Sequence, residues 1–263
     1  MISVTSAQLS AWLAAFLFPL IRILAFIGTA PIFGNKQIPA RVKVALAVVL
    51  TIVISPTVEV QPGLEPGSTA GIFVVFQQIM AGMAMGFTVR LIFTAVEAAG
   101  EIIGLQMGLG FASFYDPVNA SYTPVVGQFL GLIAALAFLA VNGHLLMLEA
   151  LANSFQAFPV TAHPPTAEGW RTLALWGGSI LKSALQLSLP VLGALIITNI
   201  ALGVLTRSAP QLNLFAIGFP ITLSIGLIML ALSIPYLAPL LELFTRNGID
   251  TMLRAMHQIA PRP

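Results

Sequence analysis

The sequence has no cysteine among its 263 residues, and only 8% of its residues are charged. The absence of cysteine excludes disulfides, thiolate metal ligands, iron–sulfur clusters and cysteine nucleophiles. A soluble domain carries about 25% charged residues, so the shortage of charge excludes an ordinary soluble domain. The 11 Lys and Arg residues against 9 Asp and Glu leave a net charge of +2, far too small for a nucleic-acid-binding surface.

Hydrophobic residues make up 58% of the chain, and the mean hydropathy is +0.97. They form continuous runs rather than the alternating pattern of a membrane barrel, and in lipid such runs favour helices. We therefore predict an all-α, polytopic membrane protein. The charge-free segments and their flanks place helices at about 8–29, 40–56, 69–109, 124–155, 168–206 and 213–244.

Length and proline content indicate that these helices are not simple spans. A helix over 69–109 would be about 60 Å long, twice the hydrocarbon thickness of a bilayer. Pro190 lies inside the fifth segment, and Pro220, Pro235 and Pro239 lie inside the last. We expect long kinked helices that either fold back as hairpins or extend beyond the bilayer.

The distribution of basic residues gives conflicting orientations. The first loop is basic and is expected on the cytoplasmic side, and six spans then place the C-terminus outside. The C-terminal tail is also basic, with Arg246, Arg254 and Arg262, which favours the inside. Either a turn at Pro235–Pro239 or a departure from regular spanning would remove the conflict.

The sequence offers little for catalysis. Its three histidines, His144, His163 and His257, are scattered and lack the spacing of metal ligands. It has no nucleophile elbow and no phosphate-binding loop of the Walker type. We predict that the protein is not an enzyme and that it uses no cofactor and no metal.

Glycines spaced four residues apart make flat patches on the predicted helices. Such patches allow close helix packing, either within the chain or between subunits. The glycines concerned are Gly82, Gly86, Gly100, Gly104, Gly108, Gly127 and Gly131.

Charged residues inside apolar segments usually face a partner, a bundle interior or a water-filled path. Arg90, Glu97 and Glu101 fall on one helical stripe, and Arg22 is a candidate partner for the two acids. Structural pairing, with Arg22 or with a neighbouring subunit, is the simpler interpretation. The alternatives are a proton or ion relay, and water-lined contact or solvent exposure beyond the bilayer. Arg207 completes the set of candidate charges for subunit or conduit contact.

Residues 106–123 form the most unusual segment, because a glycine-spaced helix end leads into a loop that begins with large apolar rings. Met107, Phe111, Phe114 and Tyr115 precede a turn at Asp116-Pro117. The rings could belong to an aromatic belt at the membrane interface, or they could form a hydrophobic constriction that closes a conduit.

At this loop the chain resembles the FliR family of flagellar export-gate proteins, which includes the T subunit of virulence-type III secretion systems. The resemblance rests on Gly108-Leu-Gly-Phe-Ala-Ser-Phe-Tyr-Asp-Pro117, Asn142-Gly-His144, and the segment Arg207 to Pro220. It covers essentially the whole chain in order. The Asn-Gly-His and Phe-x-x-Phe-x-Asp-Pro forms look more flagellar than virulence-type.

The resemblance implies one export-gate domain over 1–263 that is similar to a fusion of two smaller gate proteins. Residues 1–190 would be the FliP-like part and residues 191–263 the FliQ-like part. FliP, FliQ and FlhB are the implied partners in the bacterial inner membrane at the flagellar basal body. Much of the chain would lie above the membrane plane, and the loop at 106–123 would plug the conduit for unfolded rod, hook and filament proteins.

Two other functions remain open from the sequence. A self-sufficient secondary transporter for a small solute would suit broken helices and intramembrane charges, but it predicts an internal repeat that is not evident. A passive scaffold would use the glycine patches for packing and would merely bury the phenylalanines.

Overall fold

The computed structural model describes residues 5–111, 124–209 and 214–260. Within these ranges the regular structure is helical, as the apolar runs predict. The helices are α1 Ser6–Thr29, α2 Ala40–Ile54, α3 Thr69–Gln106, α4 Val125–Ala140, α5 Gly143–Ala157, α6 Ala167–Ser208 and α7 Leu214–Ile259. Short 3-10 turns follow α2 at Ser55–Thr57 and α3 at Leu109–Phe111.

Five of these helices are long and apolar enough to cross a membrane, and the bent pair α4 and α5 would make a sixth span. The prediction of a polytopic all-α membrane protein is therefore confirmed. The fourth predicted helix, 124–155, is two helices, which meet at a bend of 69°. Asn142 adopts a left-handed conformation with φ of 56° at this bend, so the helical hydrogen-bond ladder cannot continue through it.

The last helix is longer than predicted. It continues to Ile259 and contains Pro220, Pro235 and Pro239 within one helix. The alternative of a turn at Pro235–Pro239 that returns the chain is therefore wrong. Each proline removes one backbone hydrogen bond, and the surrounding helix still continues through it.

Helices α3, α6 and α7 have 38, 42 and 46 residues, each longer than one membrane crossing requires. Each is one helix rather than a hairpin. The alternative of helices that fold back as hairpins is therefore wrong, and extension beyond the bilayer stays a prediction.

The chain divides into two compact units. The first contains residues 1–91, 142–177 and 244–263, and the second contains residues 92–141 and 178–243. The first unit has a core of fully buried side chains that includes Phe18, Phe26, Met85 and Leu151. These units are defined by contacts within the chain, whereas the FliP-like and FliQ-like parts are defined by likeness to other proteins. The division into those two parts therefore stays a prediction.

In the second unit, α3 and α4 approach each other through glycines. A Cβ added to Gly100 would lie 2.6 Å from the Cα of Gly127 and 2.8 Å from its nitrogen. Backbone atoms cannot move aside as a side chain can, so neither position has room for a larger residue. Next to this contact, the rings of Phe93 and Phe138 pack edge to face with centroids 5.4 Å apart.

The outer surface of the long helices is strongly apolar. In the most apolar part of α3, 67% of residues are buried within the chain, whereas the figure is 22% for α6 and for α7. Leu181, Ile197 and Tyr236 are 70%, 70% and 76% exposed. An apolar surface of this extent requires cover by lipid or by partner proteins.

We predict that Gly100→Ala destabilises the assembled protein, because the added methyl group would push α3 and α4 apart. Overpacking of this kind costs about 1–3 kcal/mol. The melting temperature of the detergent-extracted complex should fall. Gly193→Ala in α6 is the matched control, since a Cβ there meets no atom within 4 Å. Equal melting temperatures for the two variants would contradict the prediction.

Candidate functional site

The aromatic loop leaves α3 through a tight turn. Met107 is fully buried, and Gly108 follows with φ of 90°, a region in which glycine is favoured. The Gly108 amide donates to the carbonyl of Leu105 at 3.1 Å, and the 3-10 turn then carries the backbone to Phe111. The α-helix therefore ends before this turn, and the loop follows the 3-10 turn.

The chain returns from the loop at Pro124, directly before α4. The Pro124 carbonyl accepts from the Gln128 amide at 2.8 Å, and Gly104 near the end of α3 has Val126 as a close neighbour. The two ends of the loop are thus held beside each other by the packing of α3 on α4.

Only some of the predicted plug residues lie among the residues that the structure describes. Met107 and the backbone of Phe111 are described, but Phe114, Tyr115, Asp116 and Pro117 lie outside the described residues, as does the side chain of Phe111. Their role in closing a conduit stays a prediction.

Arg22 is fully buried in the first unit and is satisfied by neutral groups. Its Nε donates to Oε1 of Gln78 at 2.7 Å. Its two terminal nitrogens donate to the carbonyl oxygens of Ser154 at 2.9 Å and Phe158 at 2.7 Å. The guanidinium also lies over the ring of Phe155, 4.2 Å from its centroid.

These contacts explain how a cation is tolerated in the core. Ser154 lies in the last turn of α5, and Phe158 is the residue that caps its C-terminal end. The last carbonyls of a helix carry partial negative charge, so they stabilise a cation. The Ser154 carbonyl accepts from the Phe158 amide as well as from Arg22. Arg22 therefore links α1, α3 and the end of α5. Its contacts are within the chain, and they favour a structural role over a conduit role.

The other predicted charges lie at the surface of the chain. Arg90, Glu97 and Glu101 are all exposed on α3, and Arg207 is exposed in the last turn of α6. Arg90 lies at a cavity of ≈ 590 Å³ in the first unit, which is otherwise lined mainly by apolar side chains such as Met80, Phe87 and Trp170. Contact of these charges with subunits or with a conduit stays a prediction.

Most of the predicted packing glycines lie against helices of the same chain. Added Cβ atoms at Gly82 and Gly86 would meet the backbone of α1 near Arg22 and Ala30. At Gly127 an added Cβ would lie 2.8 Å from the carbonyl oxygen of Glu97. At Gly131 it would lie 3.1 Å from the Glu97 side chain, so this glycine makes room for the carboxylate.

Sequence reasoning missed the partners of Arg22 and two residues that contact Met107. Gln78, Ser154 and Phe158 come from distant parts of the chain, and the sequence offered Arg22 no partner other than an acid. Thr222 and Gly226 contact Met107 from α7, and no pattern marks them. Among the described residues, no group of three or more His, Asp or Glu side chains could hold a metal ion.

Comparison with known proteins identifies the class to which this helical chain belongs. Residues 13–247 match the model of the family described as bacterial export proteins, family 1. The flagellar biosynthetic protein FliR of Pectobacterium carotovorum subsp. carotovorum is 39% identical over 260 residues, which cover 99% of each chain. FliR of Escherichia coli strain K12 is 41% identical over 207 residues, or 79% of each chain. FliR of Bacillus subtilis strain 168 is 32% identical over 196 residues, or 73% of this chain and 75% of that one.

The chain belongs to this family of bacterial export proteins, as its loop and its ordered motifs predicted. It is a membrane component of the flagellar export apparatus. This result supports the flagellar interpretation over the virulence-type subunit and over the small-solute transporter.

We predict that Arg22→Met strongly lowers the stability of the protein, because it removes the donor to Oε1 of Gln78 and to the Phe158 carbonyl, and one of the two donors to the Ser154 carbonyl. A buried polar group without a partner costs about 1–3 kcal/mol. Arg22→Lys should rescue only part of this loss, since an ammonium group cannot reproduce the planar fork of donors.

The yield of folded protein and its melting temperature in detergent measure this effect. Arg171→Met in α6 is the matched control, because Arg171 is exposed. If Arg22→Met is as stable as Arg171→Met, the buried contacts contribute nothing measurable and the structural role assigned to Arg22 is wrong.

Proposed function

We propose that this chain is a non-enzymatic subunit that helps to form and to close the conduit of the flagellar export gate. FliP, FliQ and FlhB are its partners in the bacterial inner membrane at the flagellar basal body. Unfolded rod, hook and filament proteins are the substrates that pass. The FliP-like part covers about residues 1–190 and the FliQ-like part about residues 191–263, and much of the chain lies above the membrane plane.

One observation carries this proposal: a loop rich in large apolar rings leaves a rigid, glycine-packed helix pair. The packing of α3 on α4 at Gly100 and Gly127 holds both ends of the loop. A ring of apolar side chains can close a pore because water is unstable in a narrow hydrophobic constriction. Closure of this kind needs neither a bound ligand nor a catalytic group.

The exposed apolar faces of α6 and α7 support a role inside a larger assembly. Their surfaces are too long to be covered by one bilayer, so partner helices are the natural cover for the remainder. Opening of the gate requires a substrate or partner that stabilises the open state more than the closed state, since equal binding to both shifts nothing.

A double variant, Phe111→Ala with Phe114→Ala, tests the plug. We expect the complex to assemble and to leak ions or small solutes, because the smaller alanine side chains widen the constriction and allow water to fill it. Ion leakage through membranes of cells expressing the variant is the measurement. Phe76→Ala with Phe129→Ala is the control, since both side chains are exposed, at 60% and 47%, on α3 and α4 outside the loop.

Two outcomes would count against a plug. If the double variant assembles and the membranes of the cells do not leak ions, the rings do not close a conduit. A variant that fails to assemble, while its control assembles, would favour the passive scaffold, in which the rings serve packing alone.

The composition of the native complex tests the assembly itself. We expect a C-terminally tagged chain, expressed from its native operon and extracted in mild detergent, to be recovered in a large complex. Native mass spectrometry should find one copy of it together with several copies of two smaller membrane proteins. A stable monomer or homodimer would contradict the proposed assembly, because the apolar faces of α6 and α7 would then need no protein cover.

A further inference from the structure

A groove on the surface of the first unit contains Arg90 and is otherwise mainly apolar. It has a volume of ≈ 590 Å³ and is lined chiefly by α3 and α6. On α3 the lining residues Met80, Met83, Phe87 and Arg90 are three or four positions apart, so they share one face of the helix. Met83 and Phe87 are 37% and 50% exposed, so the groove is open at the surface of the chain.

The side of the groove that α6 forms has small residues. Ala174 and Gly177 line it, and a Cβ added at Gly177 would lie no closer than 3.9 Å to its nearest neighbour, Cδ1 of Leu91. The indole nitrogen of Trp176 donates to the carbonyl of Thr88 at 3.1 Å and joins α6 to α3 beside this space. The groove is thus a space between two joined helices that the side chains of these helices leave unfilled.

The length of the groove matches one leaflet of a bilayer. Of the described residues that line it, Arg90 alone is charged, and it lies at one end of the α3 stripe. Met80 lies ten residues earlier on α3, a distance of about 15 Å at 1.5 Å per residue. The hydrocarbon core of a bilayer is about 30 Å thick, so the acyl chains of one leaflet fill about 15 Å.

The end of the groove at Arg90 lies beside the basic first loop. A Cβ added at Gly86 would lie 2.9 Å from the nitrogen of Ala30, so the start of this loop contacts α3 one helical turn before Arg90. Basic loops lie at the cytoplasmic surface of a membrane, where lipid phosphates are found. The apolar part of the groove then extends from the headgroups toward the membrane interior. The basic residues of the loop and of the start of α2 are Lys36, Arg41 and Lys43.

We propose that this groove binds an anionic phospholipid of the cytoplasmic leaflet, with one acyl chain between α3 and α6 and the phosphate at Arg90. Apolar walls and one cation at the headgroup end fit an amphiphile of this kind. A guanidinium binds phosphate oxygens through paired donors, and its five N–H groups allow Arg90 to keep a contact within the chain at the same time. The lipid enters while the chain lies in the bilayer and stays in the groove when the complex assembles. No residue of 106–123 takes part, so the lipid site is independent of the proposed plug.

Two substitutions address the two parts of the site. Gly177→Leu fills the apolar part of the groove. Its control is Gly178→Leu, because Gly178 does not line the groove and a Cβ there meets no atom within 4 Å. Arg90→Gln removes the cation. Its control is Arg254→Gln, because Arg254 is an exposed residue of the same unit outside the groove.

A phosphatidylglycerol with a photoactivatable diazirine in one acyl chain is the probe. The assembled complex is extracted in mild detergent, incubated with the probe and illuminated. Mass spectrometry of this chain then gives the fraction that is cross-linked and the residues that carry the cross-link. A phosphatidylcholine with the same diazirine chain measures the preference for an anionic headgroup.

We expect cross-links on the α3 and α6 residues that line the groove, with phosphatidylglycerol preferred over phosphatidylcholine. Gly177→Leu should remove most of them, and Gly178→Leu should leave them unchanged. Arg90→Gln should lower the preference about fivefold, which is the effect of one basic residue near anionic lipid, and Arg254→Gln should not. Should Gly177→Leu fail to assemble, Arg90→Gln carries the test, because it shortens an exposed side chain.

Three results would overturn the lipid site. An assembled complex without cross-links in the groove would show that a partner protein fills it instead. Equal cross-linking in Gly177→Leu and Gly178→Leu would show that the lipid lies on the outer surface of the chain. An unchanged preference in Arg90→Gln would show that Arg90 does not bind the headgroup.

Discussion

The close approach of α3 and α4 at Gly100 and Gly127 is the contact on which the rest of the proposed gate depends. With only a hydrogen at each position, the two backbones come within the distance at which any side chain would collide. In a lipid environment such packing contributes van der Waals contacts that compensate for the missing hydrophobic driving force. It also brings the end of one helix beside the start of the next, so a long loop can begin and end at one place.

The buried Arg22 serves a comparable purpose in the first unit by a different physical route. A guanidinium in an apolar core is stabilised when its donors are matched, and the carbonyls at the end of α5 provide that match. One side chain thereby joins segments that are far apart in sequence. Apolar helices pack with many nearly equal registers, and a polar contact of this kind selects one of them.

The apolar surface of α6 and α7 separates this chain from a self-contained membrane protein. This apolar surface must be covered by lipid or by protein, and each of the two helices is longer than the hydrocarbon layer of a bilayer is thick. Membership of an export-protein family gives this surface a purpose, since the subunits of an apparatus cover one another.

Hydropathy alone determined the fold class, because continuous apolar runs in lipid must satisfy their backbone as helices. Most helix bounds followed within a few residues, and the ordered motifs around Phe111 and Arg207 were enough to indicate the family. The bend at Asn142 and the continuation of α7 to Ile259 did not follow, since a left-handed residue and proline-containing helices depend on surrounding packing. The partners of Arg22 and the contacts of Met107 with Thr222 and Gly226 were decided by tertiary structure alone. Each joins residues more than 50 positions apart, and no local periodicity encodes which buried donor will meet which carbonyl.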